Sequence, residues 1–145
     1  MGLDMYLSAR RYVSEYSERD KELRGQLDKL SDIAGLPIQE VVCEAMYWRK
    51  ANAIHDWFVK NVQKGVDDCG YYELTREHLE TLRIACAQAR KTKNGGPLQP
   101  RGGFFFGSLD IDDWYWADVK RTIEQIDKLL AMDWSVRRFF YHSSW

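Results

Sequence analysis

The stretch YWRKANAIHDWF, from Tyr47 to Phe58, crowds cations, an amide and an imidazole among aromatic rings. Arg49 and Lys50 stand where a helix would begin. Cationic side chains beside the free N–H groups of a helix N-terminus suit an anion such as phosphate or carboxylate. On a helical wheel Ala51, Ile54, Phe58 and Val62 cluster, and Asn52, His55 and Gln63 share a polar flank beside them. If that flank faces a crevice, Asn52 and His55 can hydrogen-bond a base or a ribose. The plainer reading is a surface cation pair and a boundary histidine bonded to a neighbour. Asp67 and Asp68 follow one turn beyond the helix. Paired aspartates can orient a histidine for acid–base work or hold a divalent cation. Adjacent aspartates in a loop are more often a turn motif. Ser108 is expected to present its hydroxyl at a strand end. The expected ligand-binding set is therefore Arg49, Lys50, Asn52, His55, Asp67, Asp68 and Ser108, with Trp48 or Phe105 stacking on a planar ring.

Other chemistries find little support. Asp110, Asp112 and Asp113 lack the central glycine and closing glutamate of a calcium loop, so helix capping explains them. No metal site or cofactor is expected. No serine or cysteine sits in a nucleophile elbow, and neither GxxxxGK[ST] nor GxGxxG occurs. Cys43, Cys69 and Cys86 are odd in number and lack CxxC spacing, which favours reduced thiols over disulfides or zinc. A formal charge of -1 argues against a general nucleic-acid binder. No apolar run approaches the roughly 20 residues of a membrane span. A cytoplasmic protein with no membrane partner is the expectation. Aromatic residues make up 14% of the chain, enough to fill a core and also line a ligand or partner surface.

These residues need elements to position them. Leu3, Met5, Leu7 and Ala9 alternate with polar residues, the period of a strand with one buried face. Leu23, Leu27, Leu30 and Ile33 fall at helical spacing with a charged opposite face, and Gly35 and Pro37 supply a stop. IQEVVCEAMYW has strand chemistry, and the helix after it is expected to start near Arg49 or Lys50. DDCGYYEL reads as a loop or short extended piece. Thr75 then caps a helix whose apolar face is Leu79, Leu82, Cys86 and Ala89. KTKNGGPLQPRGG is a loop, and FFF between glycines is expected to be a buried strand. Asp110 or Asp112 caps a last helix lined by Trp116, Val119, Ile123, Ile126 and Leu130, and Trp134 to His142 forms a final strand. The fold class is α+β: a single domain spanning 1–145, with a small, largely antiparallel sheet of about four strands packed by three or four helices.

MGLDMYL, YWRKANAIHDWFVKNVQ with GVDDC after it, GFFFGS and the closing SSW resemble an uncharacterised family of small proteins carried by bacteriophages and some bacterial genomes. The resemblance covers most of the chain. The charged helix within 14–37 matches no part of it and reads as a variable insertion. Some members of the family bear the label phosphoglycerate kinase. This chain does not support that activity, being far too short for that two-domain enzyme and lacking a nucleotide loop. The resemblance implies a viral accessory role in the host cytoplasm. The leading expectation is a protein that binds a small anionic, nucleotide-like ligand and sequesters a host-defence signal. One alternative is a small hydrolase using His55 with Asp67 or Asp68. Another is an inhibitor of a host protein that uses exposed rings such as Trp114 and Tyr115 as anchors. A homo-oligomer is compatible with each.

Overall fold

A computed structural model describes residues 2–30 and 35–145 of the chain. The elements are β1 (Asp4–Tyr12), α1 (Lys21–Leu30), β2 (Glu40–Arg49), α2 (Asn52–Asn61), β3 (Tyr72–Leu74), α3 (Arg76–Thr92), α4 (Asp113–Leu130) and β4 (Arg138–Ser144), with a short 3-10 turn at Glu18–Asp20 before α1. The fold is α+β, and the four strands form one antiparallel sheet in the order β2-β1-β4-β3.

The period-two pattern of β1 dictates which side of the sheet is dry. Leu3, Met5 and Leu7 are buried. Met5 sits opposite Trp48 of β2, and Leu7 opposite Met46 of β2 and Tyr141 of β4. Between Leu7 and Ser8 the register with β2 shifts by one residue, and Ala45 and Met46 are both buried as a result. Helices α2, α3 and α4 close this face with Ile54, Phe58, Leu79, Leu82, Val119 and Ile126. Phe58 stacks on Tyr141 at 3.9 Å, and the Trp48 indole donates to the Thr122 hydroxyl at 2.9 Å. The opposite face of the sheet covers itself with rings. Tyr47, Tyr6, His142 and Tyr71 follow one another across the strands, and Arg10 lies over Phe140.

Local chemistry explains the helix starts. The Thr75 hydroxyl accepts from the His78 N–H while the Thr75 N–H donates to His78 Nδ1, a capping box with histidine in the usual Glu or Gln place. Asp112 caps α4 by accepting from the Tyr115 N–H. Helix α1 buries none of its residues, as its charged sequence predicts, and Ile33 lies outside the described residues.

Three expectations are corrected. FFF is not a strand: residues 103–106 form a turn closed by Phe106 N–H to Gly103 C=O, and Phe104 is exposed. Strands β2 and β4 already flank β1, so this segment, which touches the start of β1, cannot pair along it. It keeps one backbone bond to the sheet, from Leu3 N–H to Phe105 C=O. The helix after β2 starts at Asn52, because the Lys50 N–H still donates to Leu3 C=O at the end of the sheet. The final strand is shifted toward Ser144, and the extended piece near Tyr72 supplies β3. No helix among the described residues is long and apolar enough to cross a membrane.

Candidate functional site

The turn from β2 into α2 builds one wall of a cavity of about 640 Å³. Lys50 makes that turn with a left-handed backbone, φ 58°. A side-chain-bearing residue adopts this region at a cost, and such strain clusters at functional sites. Two glycines accommodate the Lys50 stem. A Cβ on Gly2 would stand 3.2 Å from Lys50 Cε, and one on Gly107 would stand 3.1 Å from Lys50 Cβ. Gly107 also has φ 88°, a conformation that itself favours glycine. The α2 N-terminus that follows has Ala51 at its cap, no capping side chain and no acidic residue in its first turn. That first turn borders a cavity that Asp110, Asp112 and Asp118 also line.

The opposite wall comes from α4. Trp114, Asp118 and Arg121 line it from successive turns of one helix face. Arg121 pairs with Asp118 at 3.0 Å, and Arg49 pairs with Asp4 at 3.2 Å. Among the described residues Lys50 is the one cation of the cavity without a carboxylate partner. Asp118 has a raised pKa, chiefly because burial disfavours its charge, with Arg121 acting against the rise. Ser108 lies at the rim, its hydroxyl donating to Asp110 and accepting from the Asp110 N–H.

Asn52, although it borders the cavity, is a latch. It is 5% exposed. Its amide donates to Phe106 C=O at 2.9 Å and Ser108 C=O at 2.8 Å and accepts from the Arg101 N–H at 3.1 Å. The side chain thus ties down the loop from Arg101 to Ser108 and keeps no free group for a ligand.

His55 belongs to a second, closed cluster. It is fully buried, and Phe106 meets it edge-on at 5.2 Å. Nδ1 lies 2.7 Å from the Tyr141 hydroxyl and Nε2 lies 3.1 Å from Asp67 Oδ2. A carboxylate only accepts, so Nε2 carries the proton and Nδ1 accepts from Tyr141. The Trp145 indole donates to the other oxygen of Asp67 at 3.1 Å, and Arg101 stands 3.9 Å from Asp67 and 3.2 Å from Asp56. Burial lowers the pKa of His55, with Asp67 pulling the other way. Both ring nitrogens are bonded within the protein, and the ring and the Tyr141 side chain it meets are fully buried.

The expected set therefore divides. Arg49, Lys50 and Ser108 share the cavity with the buried amide of Asn52. His55 and Asp67 meet each other, away from it. Asp68 joins neither, accepting from the Gly70 N–H and the Tyr72 hydroxyl as a turn residue. Trp48 is sealed in the core and cannot stack on a ligand. Sequence reasoning placed Trp114 among possible partner anchors and did not single out Asp118, Arg121 or Arg101. The spacing of Trp114, Asp118 and Arg121 put them on one helical face, but only the packing of α4 against β2 turns that face toward α2. No group of three or more metal-ligating side chains occurs among the described residues. Comparisons with protein-family models, curated proteins and solved structures return no match, so the chemistry of these two clusters carries the functional argument.

Proposed function

We propose that the protein binds a small anionic ligand bearing a planar ring, of the nucleotide class, in the cavity between the α2 N-terminus and α4. Lys50 carries the reading. Its backbone is held in the left-handed region, its stem is threaded past two glycines, and its ammonium has no carboxylate partner among the described residues. The start of α2, with no acidic residue in its first turn, adds positive potential beside it, and Arg49, paired with Asp4, lines the same cavity. Trp114 is 81% exposed at the opposite wall, a ring face open for stacking. In the phage setting that the resemblance implies, such a site acts as a sink that removes a signalling nucleotide by binding alone.

The test is direct. Protein purified from its host is denatured, the supernatant is analysed by mass spectrometry, and the refolded or ligand-free protein is titrated with mono-, di- and cyclic nucleotides. A released anionic small molecule, or saturable binding by one nucleotide class, supports the reading. No released ligand together with no binding across the panel contradicts it.

A further inference from the structure

We infer that the ring of the ligand carries an amino group, and that Asp118 reads it. This deepens the nucleotide reading above and rests on it. Trp114 and Asp118 are one turn apart on α4, so their side chains lie on the same face. Ala117 also lines the cavity and, with a single methyl, leaves room above the helix between the ring and the walls. A base stacked on Trp114 thus presents its edge toward Asp118. Of the acidic residues in the cavity, Asp110 and Asp112 are exposed and Asp118 is half-buried. Asp118 receives one hydrogen bond, from Arg121 to Oδ1, and its Oδ2 has no partner among the described residues. Asp110 instead holds Ser108, and Asp112 caps α4.

A carboxylate is an acceptor without a proton to give, so it selects N–H donors. Adenine and cytosine offer an exocyclic amine, and guanine offers an N–H beside an amine. Uracil sets carbonyl oxygens on both sides of its only ring N–H, and these repel the carboxylate. Such a mismatch leaves a partly buried acceptor unpaired. The ammonium of Lys50 and the open ring of Trp114 do not distinguish the bases. Arg121 fixes the carboxylate and balances its charge.

The experiment titrates the purified protein and its Asp118→Asn variant with AMP, CMP, GMP and UMP by calorimetry, with circular dichroism confirming that the variant is folded. The inference predicts that at least one amino-bearing nucleotide binds wild type about 10-fold or more tighter than UMP. It predicts that Asp118→Asn collapses this preference, since an amide can turn either an acceptor or a donor to the base. Equal affinity of wild type for all four nucleotides, or a preference that survives Asp118→Asn, overturns the inference and leaves the nucleotide reading standing. Failure of all four to bind overturns the inference, and the nucleotide reading falls with it when the wider panel also fails and no ligand is released. Trp114→Ala supplies an independent check: it should weaken all four by a similar factor, and unchanged affinities would remove the stacked placement of the base.

Discussion

Two polar clusters flank the same helix and meet opposite fates. At its N-terminus, Lys50, whose ammonium has no carboxylate partner among the described residues, lines a cavity of about 640 Å³. One turn along, His55 is fully buried between Tyr141 and Asp67, with both ring nitrogens bonded. Titratable side chains are costly to bury unless every donor and acceptor is met, and the His55 cluster meets them. The difference separates a group that holds the fold from a group that is available. A histidine near an aspartate invites a catalytic reading; here the pair joins β4 and Trp145 to α2, and the proposed binding chemistry belongs to the less conspicuous lysine.

The sharpest way to break the comparison is His55→Ala. It deletes two buried hydrogen bonds and a packed ring, and it should destabilise the fold by about 3–5 kcal/mol in urea unfolding. Ligand affinity of the molecules that remain folded should be unchanged. A folded His55→Ala protein that loses binding entirely would move the functional centre to the closed cluster. The same residue gives the fold a pH signature. Its pKa is depressed in the folded chain by burial, against the pull of Asp67 and Asp56 and with the help of Arg101. Stability is then full above the unfolded pKa of about 6.5. It falls as pH drops below that value, because the unfolded chain takes up the proton first. His142, also depressed by burial within its ring stack, acts in the same direction. The steeper loss of wild type relative to His55→Asn between pH 7.5 and 5 therefore isolates the His55 contribution, and identical slopes would show that His55 is not buried neutral.

Asn52→Ala should come next in size. It leaves Phe106 C=O, Ser108 C=O and the Arg101 N–H without their partners and should cost about 2–3 kcal/mol. Unlike His55→Ala, it should also weaken ligand binding, since the loop it ties down carries Ser108 and Gly107 to the cavity. Faster hydrogen exchange confined to residues 101–108 would sharpen that distinction. The smallest effect belongs to Thr75→Ala, remote from both clusters. Losing the cap should cost about 1 kcal/mol and leave affinity unaltered.

Much of the frame was legible because local patterns and tertiary packing agree. The alternation of Leu3, Met5 and Leu7 and the spacing of Leu79, Leu82, Cys86 and Ala89 both mark buried faces, and all of these residues are buried. The Thr75 cap was readable from side-chain chemistry alone, and the α4 cap was narrowed to Asp110 or Asp112, of which Asp112 serves. The phenylalanine run misled because hydrophobicity does not reveal whether a neighbouring strand has an open edge. The polar flank of α2 was legible as a flank and its direction was left open; Asn52, His55 and Gln63 are all buried. Of what it faces, Asp67 was among the expected companions of His55, whereas Tyr141, 86 residues away in sequence, was not legible. The wall contributed by Trp114, Asp118 and Arg121 was hidden for the same reason, since their shared face acquires meaning only when α4 lies across from α2.

The central claim is that the ammonium of Lys50 holds an anion. Lys50→Gly tests it most directly, because glycine is at ease in the left-handed backbone that Lys50 occupies and removes only the stem and its charge. Calorimetric titration of the variant with the nucleotide that binds wild type should show affinity lower by about 10- to 100-fold, the loss of one charge-assisted hydrogen bond. Its melting temperature should equal or exceed that of wild type. Undiminished affinity in a folded Lys50→Gly protein would contradict the account.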